Sequence, residues 1–181
     1  GSPFLDAQQQ AADKLRKTQG VEVFPLLLDQ ANEPSVLAAR DTILKRSARL
    51  DILVNNAVLR PMKKGWWDDA STFAESMRVN ATGLFIITRA MGDAMAENGS
   101  GSIINIGSIQ GMVGVDATLY EGTQMIGFFP DYFFHKGGVI NFTRFIASYY
   151  GPKGVRCNCV CPGGFWTEDM PEVFVERYRA R

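Results

Sequence analysis

The 181-residue chain has one histidine, three cysteines within five residues and no surplus of either charge, with 19 basic against 19 acidic side chains. Each shortage removes a class of function. Nucleic-acid binders offer a basic excess to phosphates, and a balanced chain with no basic block has none, so no nucleic-acid partner is expected. The longest apolar stretches, 21–28 broken by Glu22 and Pro25, and 83–87, fall far short of the ~20 residues that cross a bilayer, so no membrane partner is expected. Residues 1–6 lack the basic start and apolar run of a secretory signal, which makes the cytoplasm the expected compartment. Cys157, Cys159 and Cys161 alternate along one strand-like segment. That spacing puts three thiols on one face roughly 7 Å apart, too far to bridge, and with His135 not paired to them no metal site is expected. Buried strand thiols fit a reducing compartment. Eighteen glycines and eight prolines are ordinary usage, so 1–181 reads as a single globular domain.

What is present alternates. Leu5 to Lys17 reads as a helix with Asp6 as a possible N-cap and Gly20 just beyond it. Residues 21–28 then read as a strand, in an edge or bent position because of Pro25. A helix runs from Pro34 to about Ala48, and Asp51 to Val54 is a short continuous apolar run of the kind buried on both faces of a sheet. Asp68 to Ala96 is helical in two pieces that meet near Asn80, the second apolar over most of its circumference. A strand over 101–106, a helix over 131–150 and a strand over 155–161 complete the pattern. Alternation of this kind predicts a doubly wound α/β fold, with a parallel sheet, right-handed crossovers and helices on both faces. Ligands in such folds bind beyond the carboxyl ends of the strands. Those ends carry Asp29, Asn55-Asn56-Ala57, Gly107-Ser108 and Pro162-Gly163.

Tyr132 and Lys136 are one helical turn apart on one face. A free phenol is a weak base at neutral pH, and a neighbouring cation favours its ionised form, which makes such a pair usable for proton transfer. Asn55-Asn56-Ala57 after Asp-Ile-Leu-Val, then Asn80, Ser108, Tyr132-x-x-x-Lys136 and Pro162-Gly163-x-x-x-Thr167, appear in that order along nearly the whole chain. In this combination the sequence resembles the classical short-chain dehydrogenase/reductase family. The resemblance implies a Rossmann-like fold and an NAD- or NADP-dependent oxidoreductase that interconverts an alcohol and a carbonyl. It implies Tyr132 as proton donor or acceptor, Lys136 as its cationic neighbour and nicotinamide-ribose ligand, Ser108 as hydrogen-bond partner of the substrate oxygen, and Asn80 as anchor of a water that links Lys136 to solvent. Asp29, Asn56, Ala57, Tyr132, Lys136, Pro162, Gly163 and Thr167 would line the cofactor. It also implies a homodimer or homotetramer formed through helices near 81–96 and 131–150.

Four features depart from the family pattern. No Gly-x-x-x-Gly-x-Gly turn occurs upstream, so the resemblance implies a polypeptide longer than these 181 residues, with an opening strand and a last strand besides. Val58 stands where glycine is usual. The 24 residues from Ser108 to Tyr132 are a longer spacing than the family's, and the extra stretch makes Tyr120, Glu121 and Thr123 candidate substrate contacts, with a solvated loop as the equal alternative. Phe133-Phe134-His135 stand where small residues are usual, and His135, about 100° around the helix from Lys136, is expected at a surface or subunit contact. Trp66-Trp67 reads as a packing patch or, with half the weight, a lid. The insert suggests a sugar- or polyol-like substrate. A nucleotide-binding relative without turnover and an extended-type sugar-nucleotide epimerase or dehydratase are the alternative readings.

Overall fold

The computed structural model describes residues 3–181. Helix α1 (Pro3–Gln19) and α2 (Glu33–Ser47) precede strand β1 (Ile52–Asn55); α3 (Ala70–Met77), a π-helical turn (Arg78–Gly83) and α4 (Leu84–Glu97) lead to β2 (Gly101–Ile106); α5 (Pro130–Tyr150), β3 (Val155–Val160) and α6 (Glu172–Arg179) follow. The strands form one parallel sheet in the order β1–β2–β3, with Leu53 opposite Ile103 and Ile103 opposite Cys157. Parallel neighbours need long crossovers, and α3–α4 and α5 supply them. The fold is therefore Rossmann-like α/β, as the alternation predicted.

The core lies on one face of this sheet. Ile103, Val155 and Cys157 point to Met95 of α4 and to Ile146 and Tyr150 of α5, while Leu53 joins a second cluster in which α4 meets Val36 of α2. α4 is apolar around most of its surface because it touches the sheet, α2 and α5 at once. The alternating residues of the other face remain open: Ile52 is 59% exposed and Val54 52% exposed. The expectation that β1 is buried on both faces is thus corrected, since among the described residues helices cover only one of them.

The predicted strand at 21–28 is not formed. A strand exists only by pairing, the described residues offer this segment no ladder partner, and Pro25 has no N–H to donate. It is held instead by side chains: Arg16 Nε donates to the Val23 carbonyl at 2.8 Å, Arg46 lies over the Phe24 ring, and Leu28 packs on the α2–α4 cluster. Asp6 lies inside the first turn of α1 and is not its N-cap. Asn32, whose side chain accepts from the Ser35 amide, caps α2. Trp66 and Trp67 are both exposed, so within the described residues they form no packing patch.

Candidate active site

The carboxyl ends of the three strands converge on a polar base. Asn105, at the end of β2 and fully buried, accepts from Asn55 Nδ2 at 2.8 Å and donates to Thr143 of α5 at 2.9 Å; Asn55 also donates to Thr88 of α4. Each buried amide has a partner, so the network fixes strand ends to helices without leaving a polar group unmet. It is Asn55, not Asn56, that is tied into the fold; Asn56 and Ala57 are exposed beyond it, with Ala57 on the wall of the crevice above.

Ser108 follows β2 and is buried, its Oγ accepting from the Gln110 amide at 3.1 Å. The turn it opens (Ile109–Gly111) lies directly against α5. A Cβ on Gly111 would stand 2.5 Å from the Lys136 carbonyl oxygen, so only glycine lets the Ser108 turn approach the helix that carries Tyr132 and Lys136 this closely. α5 begins at Pro130, suited to a first helical turn, and places Tyr132 in that turn. Lys136 is buried, and its Nζ donates to the Ile106 carbonyl at 2.5 Å and sits 5.7 Å from the centre of the Tyr132 ring. Burial holds the Lys136 pKa below its ordinary value, with Cys159 and Cys161 opposing that shift.

Asn80 lies in the π-helical turn between α3 and α4, the place where the sequence predicted two helical pieces to meet. Such turns recur at functional sites because one extra residue re-aims the side chains around it. Its side chain is buried and fully engaged: Oδ1 accepts from Leu59 N at 2.8 Å, and Nδ2 donates to Leu59 O at 2.6 Å and to Ser76 Oγ at 3.0 Å. Ser76 Oγ in turn donates to Asp131 at 2.6 Å, which ties the turn beside Tyr132 to α3. Asn80 therefore positions the loop after β1 through its side chain.

Two residues were not read as site members from the sequence. Arg60 lies 4.8 Å from the Tyr132 ring centre and 5.1 Å from that of Phe129, a second cation at the phenol. Its only sequence signal is a single charge in the loop Val58-Leu59-Arg60-Pro61 that follows Asn-Asn-Ala. His135 is not a surface residue: it is 4% exposed, its ring meets that of Tyr132 edge-on at 5.3 Å, and its Nε2 has no hydrogen-bond partner among the described residues. The reason is that α5 is enclosed on both sides, by the sheet at Lys136 and by the π-helical turn at His135, so adjacent residues are both interior. Burial first, then Lys136, lowers the His135 pKa to about 4. Because the unfolded chain takes up this proton near 6.5, the native state loses stability as pH falls from 6.5 toward 4. His135→Gln is expected to flatten the dependence of the urea midpoint on pH across that window; an unchanged slope would show that the imidazole is not held neutral.

Asn80 and Lys136 line one crevice with Ala57, the Tyr132 ring stands beside Lys136, and the Ser108 turn seats against the same helix; Pro162 O accepts from the Ile109 amide of that turn at 3.1 Å. Asp29 is exposed and closes a turn by accepting from the Ala31 amide, next to Gln30, which lines the same crevice. Gly163 and Thr167 are exposed in the loop after β3. The inserted stretch engages the last helix. Tyr120 packs on Phe128 and Phe174, Thr123 Oγ1 donates to the Tyr120 carbonyl at 2.8 Å, and the Glu121 carbonyl accepts from Arg177 at 2.6 Å. Tyr120 also lies within reach of Gln110 in the Ser108 turn and of Arg60.

The short chain dehydrogenase profile matches residues 5–177. The sequence is 30% identical over 177 residues to galactitol 2-dehydrogenase (L-tagatose-forming) of Cereibacter sphaeroides, covering 94% of this chain and 66% of that protein. Among solved structures, an NAD+-bound xylitol dehydrogenase superposes with a TM-score of 0.75 at 25% identity, over 87% of this chain and 56% of the other. A gluconate 5-dehydrogenase of Burkholderia cenocepacia J2315, in complex with NADP and tartrate, gives 0.74 at 28% identity, over 88% and 58%. The chain spans about half to two thirds of the length of the curated relatives it matches.

Proposed function

The chain belongs to the short-chain dehydrogenase family, and from that premise we propose that the whole protein interconverts an alcohol and a carbonyl with NAD or NADP, residues 1–181 being part of one domain. The observation that carries this reading is the apposition of the Ser108 turn to the helix bearing Tyr132 and Lys136, which puts a hydroxyl, a phenol and an ammonium at the carboxyl end of a parallel sheet. The residues present fit the nicotinamide-ribose half of a dinucleotide: Lys136 supplies a buried cation, and Pro162, Gly163 and Thr167 an exposed loop beside it. When bound, the nicotinamide supplies or takes up the hydride.

The protein's part is proton handling and orientation. Tyr132 donates its phenolic proton to the carbonyl oxygen as that oxygen gains charge, or removes a proton from the alcohol in the reverse direction. Ser108 donates a hydrogen bond to the same oxygen and fixes its distance from the phenol. Lys136 and Arg60 place two positive charges beside the Tyr132 ring, 5.7 and 4.8 Å from its centre. Asn80 holds the Leu59–Arg60 segment against this arrangement. The polyol names among the relatives and neighbours support a polyol or sugar-acid substrate class. With NADH and NADPH supplied in turn, loss of nicotinamide absorbance over a panel of ketoses, keto acids and simple ketones tests the reading; turnover with the sugar-like ketones supports it, and none across the panel would remove it.

The outer face of α4 and α5 supports a homo-oligomer. Phe142, Phe145 and Tyr149 stack in a row, Phe145 being 61% exposed, with Phe85 and Phe134 alongside. An exposed aromatic row of this kind marks an interaction surface. Phe145→Glu is expected to lower the oligomer order in light-scattering chromatography; an unchanged mass would exclude this face.

A further inference from the structure

The cysteines do not stay on one regular strand face. β3 ends at Val160, so Cys161 lies beyond the ladder, where the alternation that separates i and i+2 side chains no longer holds. Cys159 Sγ and Cys161 Sγ are 3.7 Å apart, both half-buried, whereas Cys157 is buried and accepts from Asn105 at 3.6 Å. The expectation of three thiols too distant to bridge is therefore corrected for this pair.

The pair touches the parts that hold Ser108. A Cβ on Gly107 would lie 2.7 Å from Cys159 Sγ and 2.9 Å from Cys161 Sγ, so both sulfurs rest on the residue just before Ser108. Two backbone bonds fix the residues on either side of that serine: Gly107 N donates to Val160 O at 2.7 Å and Ile109 N to Pro162 O at 3.1 Å. Their acceptors are the two chain neighbours of Cys161. Any movement of Cys161 is thereby delivered to Ser108 from both sides.

We propose that Cys159 and Cys161 form an oxidant-closed disulfide, a modification site whose closure displaces the Ser108 turn. The displacement rests on geometry alone; its effect on turnover rests on the function proposed above. With a hydroperoxide as oxidant, Cys161 sulfur attacks the outer oxygen, the O–O bond breaks, and the alkoxide leaves with the thiol proton as an alcohol, or as water from hydrogen peroxide. The sulfenic acid so formed is attacked by Cys159 sulfur; the S–O bond breaks and hydroxide leaves with the second thiol proton as water. The dithiol loses two electrons and two protons, and the peroxide gains them. An S–S bond is about 2 Å long, so closure draws the sulfurs together from 3.7 Å and shifts Val160 and Pro162 with them.

The test is treatment of the full chain with hydrogen peroxide, alkylation of remaining thiols, and peptide mass spectrometry, with amide hydrogen exchange and turnover measured on the same samples. The expected result is a link between Cys159 and Cys161 with Cys157 still alkylated, faster exchange at the Gly107 and Ile109 amides, and a roughly tenfold or larger loss of turnover, all restored by dithiothreitol. C159S and C161S should each abolish the link and the exchange change, and C157S should retain both. Alkylation of all three cysteines after peroxide, or the same exchange change in C159S and C161S, would overturn the proposal. A reduced protein without turnover that still shows the link and the exchange change would support this site and count against the function assigned to the chain.

Discussion

Tyr132→Phe is expected to lower turnover by a factor on the order of 10²–10⁴, the range set by removing a positioned general acid or base. The ring itself remains, and with it the contacts to Arg60 and the edge of His135, so the melting temperature should move little. That combination separates chemistry from folding. A steady-state assay in both directions, paired with a thermal melt, gives both quantities. Retained turnover would remove Tyr132 as the proton-transferring group and leave the ring a packing role only.

Gly111→Ala is expected to damage both stability and activity. Its added Cβ would meet the Lys136 carbonyl oxygen at 2.5 Å, and because that atom is helix backbone it cannot rotate away. The Ser108 turn must then lift from α5, at a cost of about 1–3 kcal/mol, in the range of other overpacked sites. Since the same contact seats the Ser108 turn on the helix that carries the phenol, kcat should fall by roughly 10²-fold, the loss expected when a reacting group is misplaced by about an ångström. Urea unfolding and kcat on one preparation check the two effects together. Wild-type kcat in a destabilised variant would mean that the Ser108 turn does not need its seat on α5.

The parts of the fold that hydrophobic pattern alone determines were legible. The strand at 101–106, the helix ending at Tyr150 and the break near Asn80 follow from short apolar runs, a helical period and a polar residue inside it. The segment at 21–28 was misread because its composition suits a strand, whereas strand formation depends on a neighbour to pair with. β1 looked buried on both faces because its residues are apolar; exposure of Ile52 and Val54 depends on what covers the sheet, and composition does not carry that. The pairing of Tyr132 with Lys136 was legible because a four-residue spacing on a helix encodes it, and Ser108 entered through the family resemblance. Arg60 and His135 were not legible, because each reaches the site through tertiary packing: Arg60 by the path of a loop that Asn80 holds, His135 by enclosure of a helix on two sides. The thiol pair was hidden for a related reason. Alternation holds only inside a ladder, and β3 ends one residue before Cys161.

The most direct test of the central claim, that the Ser108–Tyr132–Lys136 cluster serves hydride exchange between an alcohol carbon and a nicotinamide, is deuterium transfer. The protein is incubated with a polyol deuterated at the reacting carbon and oxidised cofactor, and the reduced nicotinamide is recovered for mass spectrometry and NMR. Deuterium is expected on one face of the nicotinamide ring carbon that accepts hydride, with the labelled cofactor forming roughly 10²–10⁴-fold more slowly when Tyr132→Phe replaces the wild type. Recovery of only unlabelled cofactor across the polyol panel, or equally fast labelling by the Tyr132→Phe variant, would contradict it.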